Sequence, residues 1–180
     1  MELITQADAP LGLADRYLKV NHAGEHGAIC IYTAQIHVAR FMNRSLVGEL
    51  IEFRSHEIRH RSIFLAELRR RNRARCRSYW LCGVGGYVLG LLTAVCGRSA
   101  IAATTAAVES VVLRHLREQL SKLGVSDPQA SEAIATIIAD EQQHHDRADS
   151  IAKTAWFWPG IVTPVVTAST EFVIWTGMRL

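Results

Sequence analysis

The stretches SHEIRH (residues 55–60) and DEQQHHD (residues 140–146) each contain a glutamate followed three residues later by a histidine. The two pairs are Glu57 with His60 and Glu141 with His144. Three residues are nearly one turn of an α-helix, so each carboxylate lies beside its imidazole on one helix face. The sequence therefore places the same polar pair on two predicted helices.

Both pairs interrupt apolar stripes. Apolar residues recur every three or four positions on either side of each pair, which is the period of a helix face buried in a core. Around the first pair they are Leu46, Leu50, Phe53, Phe64 and Leu68. Around the second pair they are Ala130, Ile134, Ile137, Ala148 and Ile151. The polar pairs are therefore predicted to point into the core.

Two further glutamates, Glu25 and Glu109, occupy the apolar stripes of two other predicted helices. Glu25 precedes Glu57 by 32 residues, and Glu109 precedes Glu141 by the same interval. The second set of residues repeats the first at an offset of 84 positions. This pattern indicates an internal duplication of a helix pair.

Four carboxylates in one core require compensating positive charge, because an unpaired buried carboxylate is strongly unfavourable. Two divalent cations would balance them if both histidines are neutral. Carboxylate and imidazole ligands favour iron or manganese, and the sequence alone does not distinguish these two metals. One Glu from each of two helices and Glu-x-x-His from each of two others is typical of ferritin-like di-metal bundles. We therefore predict an all-α, ferritin-like four-helix bundle made of two helix-pair repeats, with additional apolar membrane-interfacial helices.

The chain is predicted to form a single domain over residues 1–180. Its segments are repeat one at about 11–72, an apolar interfacial segment at about 79–97, repeat two at about 99–155 and a C-terminal helix at about 165–177. Ser45 is predicted to cap the second helix. Gly124 is predicted to end one helix of repeat two, and Pro128 to lie in the first turn of the next.

Six of the nine residues from Arg69 to Arg77 are arginine, and a long apolar stretch follows them. No aromatic residue is interleaved with them, so we predict no nucleic-acid partner. Such a run is typical of a solvated helix end. It is also typical of a cationic surface, here called the cationic collar, that borders an apolar segment and binds anionic lipid headgroups. The apolar segments at 79–97 and 155–170 contain glycines or prolines, so we expect interfacial segments rather than independent membrane spans.

Several polar or small residues surround the ligand candidates. Asp140 is predicted to orient the ring of His60, and the alternative is an exposed helix acid. Gly24 and Gly27 lie inside a helix, where they either permit close helix packing or leave clearance for dioxygen or a ligand. The other histidines are predicted to be surface, packing or supporting groups, with His22 the strongest candidate for a place near the metals.

Several segments of the chain resemble the demethoxyubiquinone hydroxylases of the Coq7 type. They are LKVNHAGEHGA (18–28), the two Glu-x-x-His pairs, YVLGLLTAVCGRSAIAATTAAVE (87–109) and FVIWTGMRL (172–180). The resemblance extends from about Asp15 to Leu180, and the segment around Glu25 is its most specific part. Members of this family are ferritin-like di-iron monooxygenases of ubiquinone biosynthesis.

The resemblance implies a catalytic pair of iron ions. Its ligands would be Glu25, Glu57, His60, Glu109, Glu141 and His144. Dioxygen would be the co-substrate, and a polyprenyl benzoquinone of unspecified tail length would be hydroxylated. Electrons would come from an external donor, either NADH or a partner reductase.

The resemblance also implies peripheral attachment to the membrane that contains the quinone. This membrane would be the bacterial inner membrane, at its cytoplasmic face, or the mitochondrial inner membrane, at its matrix face. A second copy of the chain or another ubiquinone-biosynthesis protein is a further expected partner.

The chain departs from the family pattern near the third predicted bundle helix. Ser110 follows Glu109, where many members have a second acid. Arg114 and Leu116 flank His115, where many members have the sequence His-His-Tyr. A substrate contact or electron path that uses the family's second acid, first histidine or tyrosine at these positions is therefore absent from this chain. The six ligand candidates are unchanged.

Two other functions use the same features. A ferritin-like iron-storage protein, peroxidase or catalase would need the same six residues, although the 19-residue uncharged run at 79–97 is unusual for a soluble storage protein. A membrane-surface helical scaffold with a structural metal would need chiefly the apolar segments. Fold alone does not separate these functions.

Overall fold

The computed structural model describes residues 11–154 and 157–180, which form α-helices joined by short connections. The helices are α1 (Leu13–Met42), α2 (Val47–Arg70), α3 (Tyr79–Val95), α4 (Arg98–Leu123), α5 (Pro128–Ala152) and α6 (Phe157–Gly177), with a 3₁₀ turn at Arg44–Leu46. The described residues contain no β-strand. The prediction of an all-α helical bundle is confirmed.

Helices α1, α2, α4 and α5 form the bundle, in which the hairpin α1–α2 packs against the hairpin α4–α5. The apolar stripes of these helices meet in two buried clusters. One cluster includes Leu18, Phe64, Leu116, Ile134 and Ile137. The other includes Tyr32, Ile36, Leu50, Phe53 and Ile101. The predicted stripes of α2 and α5 are therefore core positions, apart from Ile151, which is half-buried.

The internal repeat includes a third helix in each half. Helix α3 packs on α1, and α6 packs on α4. When 84 is added to the residue numbers of α3, the resulting positions lie within α6 or directly after it. The duplicated unit is therefore α1–α3 and α4–α6, which extends the predicted helix pair. The third helix escaped sequence comparison because glycines at its contact face, such as Gly86, correspond to larger residues in α6, such as Thr170.

Helix α3 lies very close to α1 because Gly83, Gly86 and Gly90 lie on its contact face. A Cβ atom at Gly86 would lie 2.4 Å from the carbonyl oxygen of Gly27. One at Gly90 would lie 2.4 Å from the carbonyl oxygen of Ile31. The outer face of α3 exposes Trp80, Leu81, Val84, Val88, Leu92 and Val95. The helix thus buries one side and presents an apolar surface on the other.

Helix α6 begins at Phe157, well before the predicted start at 165. Pro159 lies in the first turn, where backbone N–H groups have no helical partner, so it does not interrupt the helix. Pro164 lies inside the helix, and the carbonyl that loses its hydrogen bond belongs to the exposed Gly160. By length and composition alone, α6 qualifies as a membrane span, and only 11% of its most apolar window is buried.

Helix boundaries follow the predicted stop signals but not the predicted cap. Ser45 does not cap α2, because the 3₁₀ turn shifts the helix start to Val47 and the Ser45 hydroxyl donates instead to Asn43. Gly124 ends α4 with a positive φ of 48°, a conformation that glycine adopts readily. Pro128 is the first residue of α5, as predicted.

The arginine run is divided between internal ion pairs and the surface. Arg71 donates two hydrogen bonds of 2.7 Å to Asp127 and a third, also 2.7 Å, to Glu67. Arg73 donates to Asp15 of α1 at 2.9 Å. The interpretation of the run as a cationic collar therefore does not apply to Arg71 and Arg73, because both form ion pairs with carboxylates of the protein. The exposed members of the run are Arg69, Arg70, Arg75 and Arg77.

Candidate metal centre

All six predicted ligand side chains are buried between the two hairpins. They are Glu25 of α1, Glu57 and His60 of α2, Glu109 of α4, and Glu141 and His144 of α5. None is more than 6% exposed. Each occupies a position of an apolar stripe, so the packing that buries the stripes also brings the six side chains together.

The six side chains form two groups, each of which could hold a metal ion. The groups are Glu25, Glu57, His60 and Glu141, and Glu57, Glu109, Glu141 and His144. Within each group, one ligand atom per residue lies within 4.8 Å of the others. The two glutamates of the Glu-x-x-His pairs, Glu57 and Glu141, belong to both groups. The arrangement therefore offers two adjacent metal positions that share two carboxylates.

The Nδ1 atoms of both histidines face the shared carboxylates. Nδ1 of His60 lies 2.8 Å from Oε1 of Glu141 and 3.6 Å from Oε2 of Glu57. Nδ1 of His144 lies 3.1 Å from Oε1 of Glu57 and 3.4 Å from Oε2 of Glu141. Each imidazole thus approaches its own glutamate and that of the opposite repeat.

Several of these atoms are buried without a hydrogen bond, which supports a metal site. They are Oε1 of Glu57, Oε2 of Glu141 and Nδ1 of both His60 and His144. The nearest nitrogen–oxygen distances are 2.8–3.6 Å, but none of these contacts is a hydrogen bond. Such unsatisfied polar atoms are unfavourable, and metal coordination would satisfy them. Because carboxylates and imidazoles suit iron and manganese, the residues fit a pair of these ions.

The four buried glutamates repel one another, so protons or cations must neutralise part of their negative charge. Burial and repulsion between neighbouring carboxylates raise the pKa values of Glu25 and Glu109 well above their ordinary value. Burial opposes protonation of His60, but the nearby Glu141 and Glu57 outweigh it and raise the pKa of His60 to about 10. The carboxylates therefore attract either protons or cations. Binding of divalent metal would displace protons from these ligands.

Both candidate ligand histidines have a polar partner behind the ring. Nε2 of His60 lies 3.0 Å from Oδ2 of Asp140, which also pairs with Arg59. The predicted contact between Asp140 and His60 is therefore present. Nε2 of His144 lies 2.9 Å from Nδ1 of His56. The sequence pattern places His56 only among the surface, packing or supporting histidines, although the offset of 84 residues from Asp140 leads directly to it.

Tyr32 is a second contact that sequence analysis missed. Its side chain is buried, and its hydroxyl donates to Oε1 of Glu109 at 3.3 Å. Burial and the adjacent carboxylates raise the pKa of Tyr32 well above its ordinary value, so the hydroxyl keeps its proton. In the sequence, Tyr32 is one more member of the α1 stripe, with no sign that it reaches across to α4.

A cavity of about 360 Å³ connects the four glutamates with the surface. It lies between α1, α3, α4 and α6 and is lined mainly by apolar side chains. Residues at its outer end are themselves exposed, namely Leu81, Val88, Leu92 and Val165. Apart from the glutamates, the polar residues that line the cavity include Asn21, His115, Ser169 and Thr170. Its volume is within the range of about 300–1,000 Å³ for small-molecule sites.

The two glycines beside Glu25 serve different purposes. A Cβ atom at Gly24, which lines the cavity, would have no neighbour within 4 Å, so this glycine leaves clearance. A Cβ atom at Gly27 would lie 3.2 Å from the carbonyl oxygen of Cys82, so this glycine permits close packing. His22 is buried, but its ring stacks on Tyr79 and belongs to neither ligand group.

The departures from the family pattern lie at different distances from the cavity. Ser110 is exposed on α4. His115 lines the cavity and lies 2.9 Å from Glu171 of α6, with which Arg114 also pairs. Leu116 is buried and lines the cavity as well. The changes at Arg114 and Leu116 therefore alter the cavity wall and its support.

These features place the protein among the ferritin-like helical bundles, with a buried carboxylate–histidine cluster that could hold metal ions. Comparison with known families agrees with this class. The sequence profile described as ubiquinone biosynthesis protein COQ7 matches residues 12–177. The chain belongs to the COQ7 family, which confirms the resemblance seen in its sequence.

Relatives from bacteria and eukaryotes cover most of the chain. The 3-demethoxyubiquinol 3-hydroxylase of Rhodospirillum rubrum is 31% identical over 175 residues, which are 96% of this chain and 81% of that protein. The NADPH-dependent 3-demethoxyubiquinone 3-hydroxylase of human mitochondria is 33% identical, covering 92% of this chain and 77% of that protein. The Dictyostelium discoideum protein of the same name is 31% identical, covering 93% and 78% respectively.

Proposed function

We propose that this protein is a di-iron monooxygenase that hydroxylates a demethoxyubiquinone or demethoxyubiquinol in ubiquinone biosynthesis. The observation that carries this proposal is the apolar cavity joining the exposed surfaces of α3 and α6 to the four buried glutamates. Membership of the COQ7 family and the names of the relatives support the same reaction. An iron-storage protein or a scaffold has no use for an apolar cavity that ends at its metal ligands.

Two iron ions are the proposed cofactor. Their proposed ligands, which are also the catalytic residues, are Glu25, Glu57, His60, Glu109, Glu141 and His144. When bound, iron supplies the redox chemistry that activates dioxygen. Glu57 and Glu141 belong to both ligand groups, so they are the residues that would link the two positions.

The residues of the cavity would bind the quinone ring and exclude water. An apolar wall keeps bulk water away from the reacting atoms, which strengthens every electrostatic interaction inside the site. His115, supported by Glu171 at 2.9 Å, and the hydroxyls of Ser169 and Thr170 can hydrogen-bond to ring oxygens. Gly24 leaves the space beside the carboxylates in which the ring can lie.

Hydroxylation requires an external reductant. One oxygen atom of dioxygen enters a ring C–H bond and the other leaves as water, which consumes two electrons and two protons. The names of the Dictyostelium and human relatives specify NADPH, whereas the sequence resemblance pointed to NADH or a partner reductase. We propose a nicotinamide donor for this chain.

The exposed apolar faces of α3 and α6 are proposed to attach the protein to the membrane that contains the quinone. On α3 this surface includes Trp80, Val84, Val88 and Leu92, and on α6 Phe157, Ile161, Val165, Phe172 and Trp175. Of these exposed residues, Val88, Leu92 and Val165 also line the cavity, so an isoprenoid tail could stay in lipid while its ring enters. The membrane would be the bacterial inner membrane at its cytoplasmic face, or the mitochondrial inner membrane at its matrix face.

The test is expression in cells that lack their own hydroxylase and accumulate the demethoxy quinone, followed by mass spectrometry of extracted lipids. The wild-type chain should convert the quinone, and Glu57→Gln should not, because a neutral amide is a weak metal ligand and Glu57 belongs to both groups that could hold a metal ion. Glu132→Gln, an exposed acid on α5, is the matched control and should retain activity. Unconverted quinone in cells that contain folded, iron-loaded wild-type protein would overturn the proposal.

A further inference from the structure

The two halves of the metal centre are not equivalent in this chain. The offset of 84 residues pairs every proposed ligand of one half with an identical residue in the other half. It does not preserve the side chains that contact those ligands. Two such contacts differ between the halves, and both bear on how strongly each half binds a metal ion.

The first difference lies behind the histidines. Asp140 accepts a hydrogen bond from His60 Nε2 at 3.0 Å, whereas its repeat equivalent, His56, faces His144 Nε2 at 2.9 Å. If His144 binds a metal through Nδ1, its Nε2–H must donate to Nδ1 of His56, which is then a neutral acceptor. A carboxylate acceptor makes an imidazole more basic and a stronger ligand than a neutral acceptor does. This difference favours the half that contains His60.

The second difference lies at the glutamates that belong to one group only. Tyr32 donates a hydrogen bond to Glu109 at 3.3 Å. The repeat equivalent of Tyr32 is Leu116, which is buried and has no hydroxyl to offer Glu25. A donated hydrogen bond stabilises carboxylate charge and leaves less of it for a metal. This difference also favours the half that contains Glu25.

We infer that the two metal positions differ in affinity, and that the position with Glu25 and His60 fills before the position with Glu109 and His144. The inference rests on the proposed ligand set. A contact behind a ligand is typically worth about 10–100-fold in metal affinity. Since both differences act in the same direction, the two binding steps should differ by at least about 10-fold.

The experiment is anaerobic calorimetric titration of the chelator-treated protein with Mn²⁺, with helical content monitored by circular dichroism. The wild type should bind two ions in steps at least about 10-fold apart. His56→Asp should strengthen only the weaker step, because it places a carboxylate behind His144. Asp140→Asn, which preserves shape, should weaken only the stronger step. His37→Asp, at an exposed histidine on α1, is the control and should change neither step.

The outcomes separate this inference from the proposed function. Two equal steps in the wild type would overturn the inference and leave the ligand set standing. Weakening of the weaker step by Asp140→Asn would overturn the assignment of the two positions. Failure of folded wild-type protein to bind Mn²⁺ or Fe²⁺ would remove the ligand set itself, and the inference with it.

Discussion

The close packing of α3 on α1 predicts opposite effects for the same substitution at two adjacent glycines. A Cβ atom at Gly86 would lie 2.4 Å from the carbonyl oxygen of Gly27, whereas one at Gly85 would have no neighbour within 4 Å. Normal contact distances begin near 3.5 Å, so Gly86→Ala forces α3 away from α1 by roughly 1 Å. The obstacle is backbone, so no side chain can rotate to relieve it.

The magnitude follows from two opposing terms. Replacing glycine by alanine within a helix contributes up to about 1 kcal/mol of stability at either position. Overpacking at Gly86 costs about 1–3 kcal/mol. The helix term cancels between the two variants, so Gly86→Ala should be less stable than Gly85→Ala by about 1–3 kcal/mol. Relative to the wild type, Gly85→Ala should be neutral or stabilising.

The assay is equilibrium unfolding by urea in detergent micelles, which cover the apolar surface, followed by circular dichroism. In a protein of this size, 1 kcal/mol corresponds to a shift in melting temperature of about 2–4 °C, so thermal unfolding gives a second measurement. Equal stabilities for the two variants would refute the packing of α3 on α1 through its glycine face.

Three further predictions concern the arginine run, the apolar surface and the cavity. Arg71→Ser should destabilise the fold by roughly 1–3 kcal/mol in urea unfolding, because it removes both hydrogen bonds from arginine to the carboxylate of Asp127. The exposed Arg69→Ser should change stability by less than about 0.5 kcal/mol. Val84→Glu should weaken binding to lipid vesicles in flotation assays, and the same change at Val125, which is 96% exposed on the α4–α5 connection, should not; equal binding of both variants would count against the membrane surface. Gly24→Leu should reduce quinone turnover at unchanged iron content, because the side chain fills the cavity; undiminished turnover would exclude this route to the glutamates.

Much of the bundle and its candidate metal centre could be predicted because charged residues occupy positions that are otherwise apolar. A glutamate on an apolar stripe is unfavourable without a partner. Glu25, Glu57, Glu109 and Glu141 all occupy such positions, at matching intervals. Helical periodicity then predicts that the four acids face one interior, because the stripes can be buried only against each other. The convergence seen in the structure follows from this local pattern.

Contacts between helices could not be predicted, because they depend on the distance and rotation of one helix relative to another. Tyr32 reaches Glu109 across 77 positions of sequence, and Arg71 reaches Asp127 across 56. Neither residue type distinguishes such a contact from an ordinary core or surface position. His56 is different, because its place in the repeat already marks it as the counterpart of Asp140.

The start of helix α6 could not be predicted from the sequence either. The predicted C-terminal helix starts at about 165, after Pro159 and Pro164, yet α6 contains both. A proline interrupts a helix only where its missing hydrogen bond or its ring cannot be accommodated. Here one proline occupies the first turn, and the other removes a bond from an exposed carbonyl. The sequence alone does not show which turn of the helix a proline will occupy.

The iron content of the anaerobically reconstituted protein, compared with that of two alanine variants, tests whether the six buried side chains bind two metal ions. The wild type should bind two iron ions per chain. Glu57→Ala should bind almost none, because both ligand groups contain Glu57, whereas Glu25→Ala should retain one ion, because only one group contains Glu25. Equal iron content in all three proteins, or less than one ion per chain in the wild type, would contradict the account.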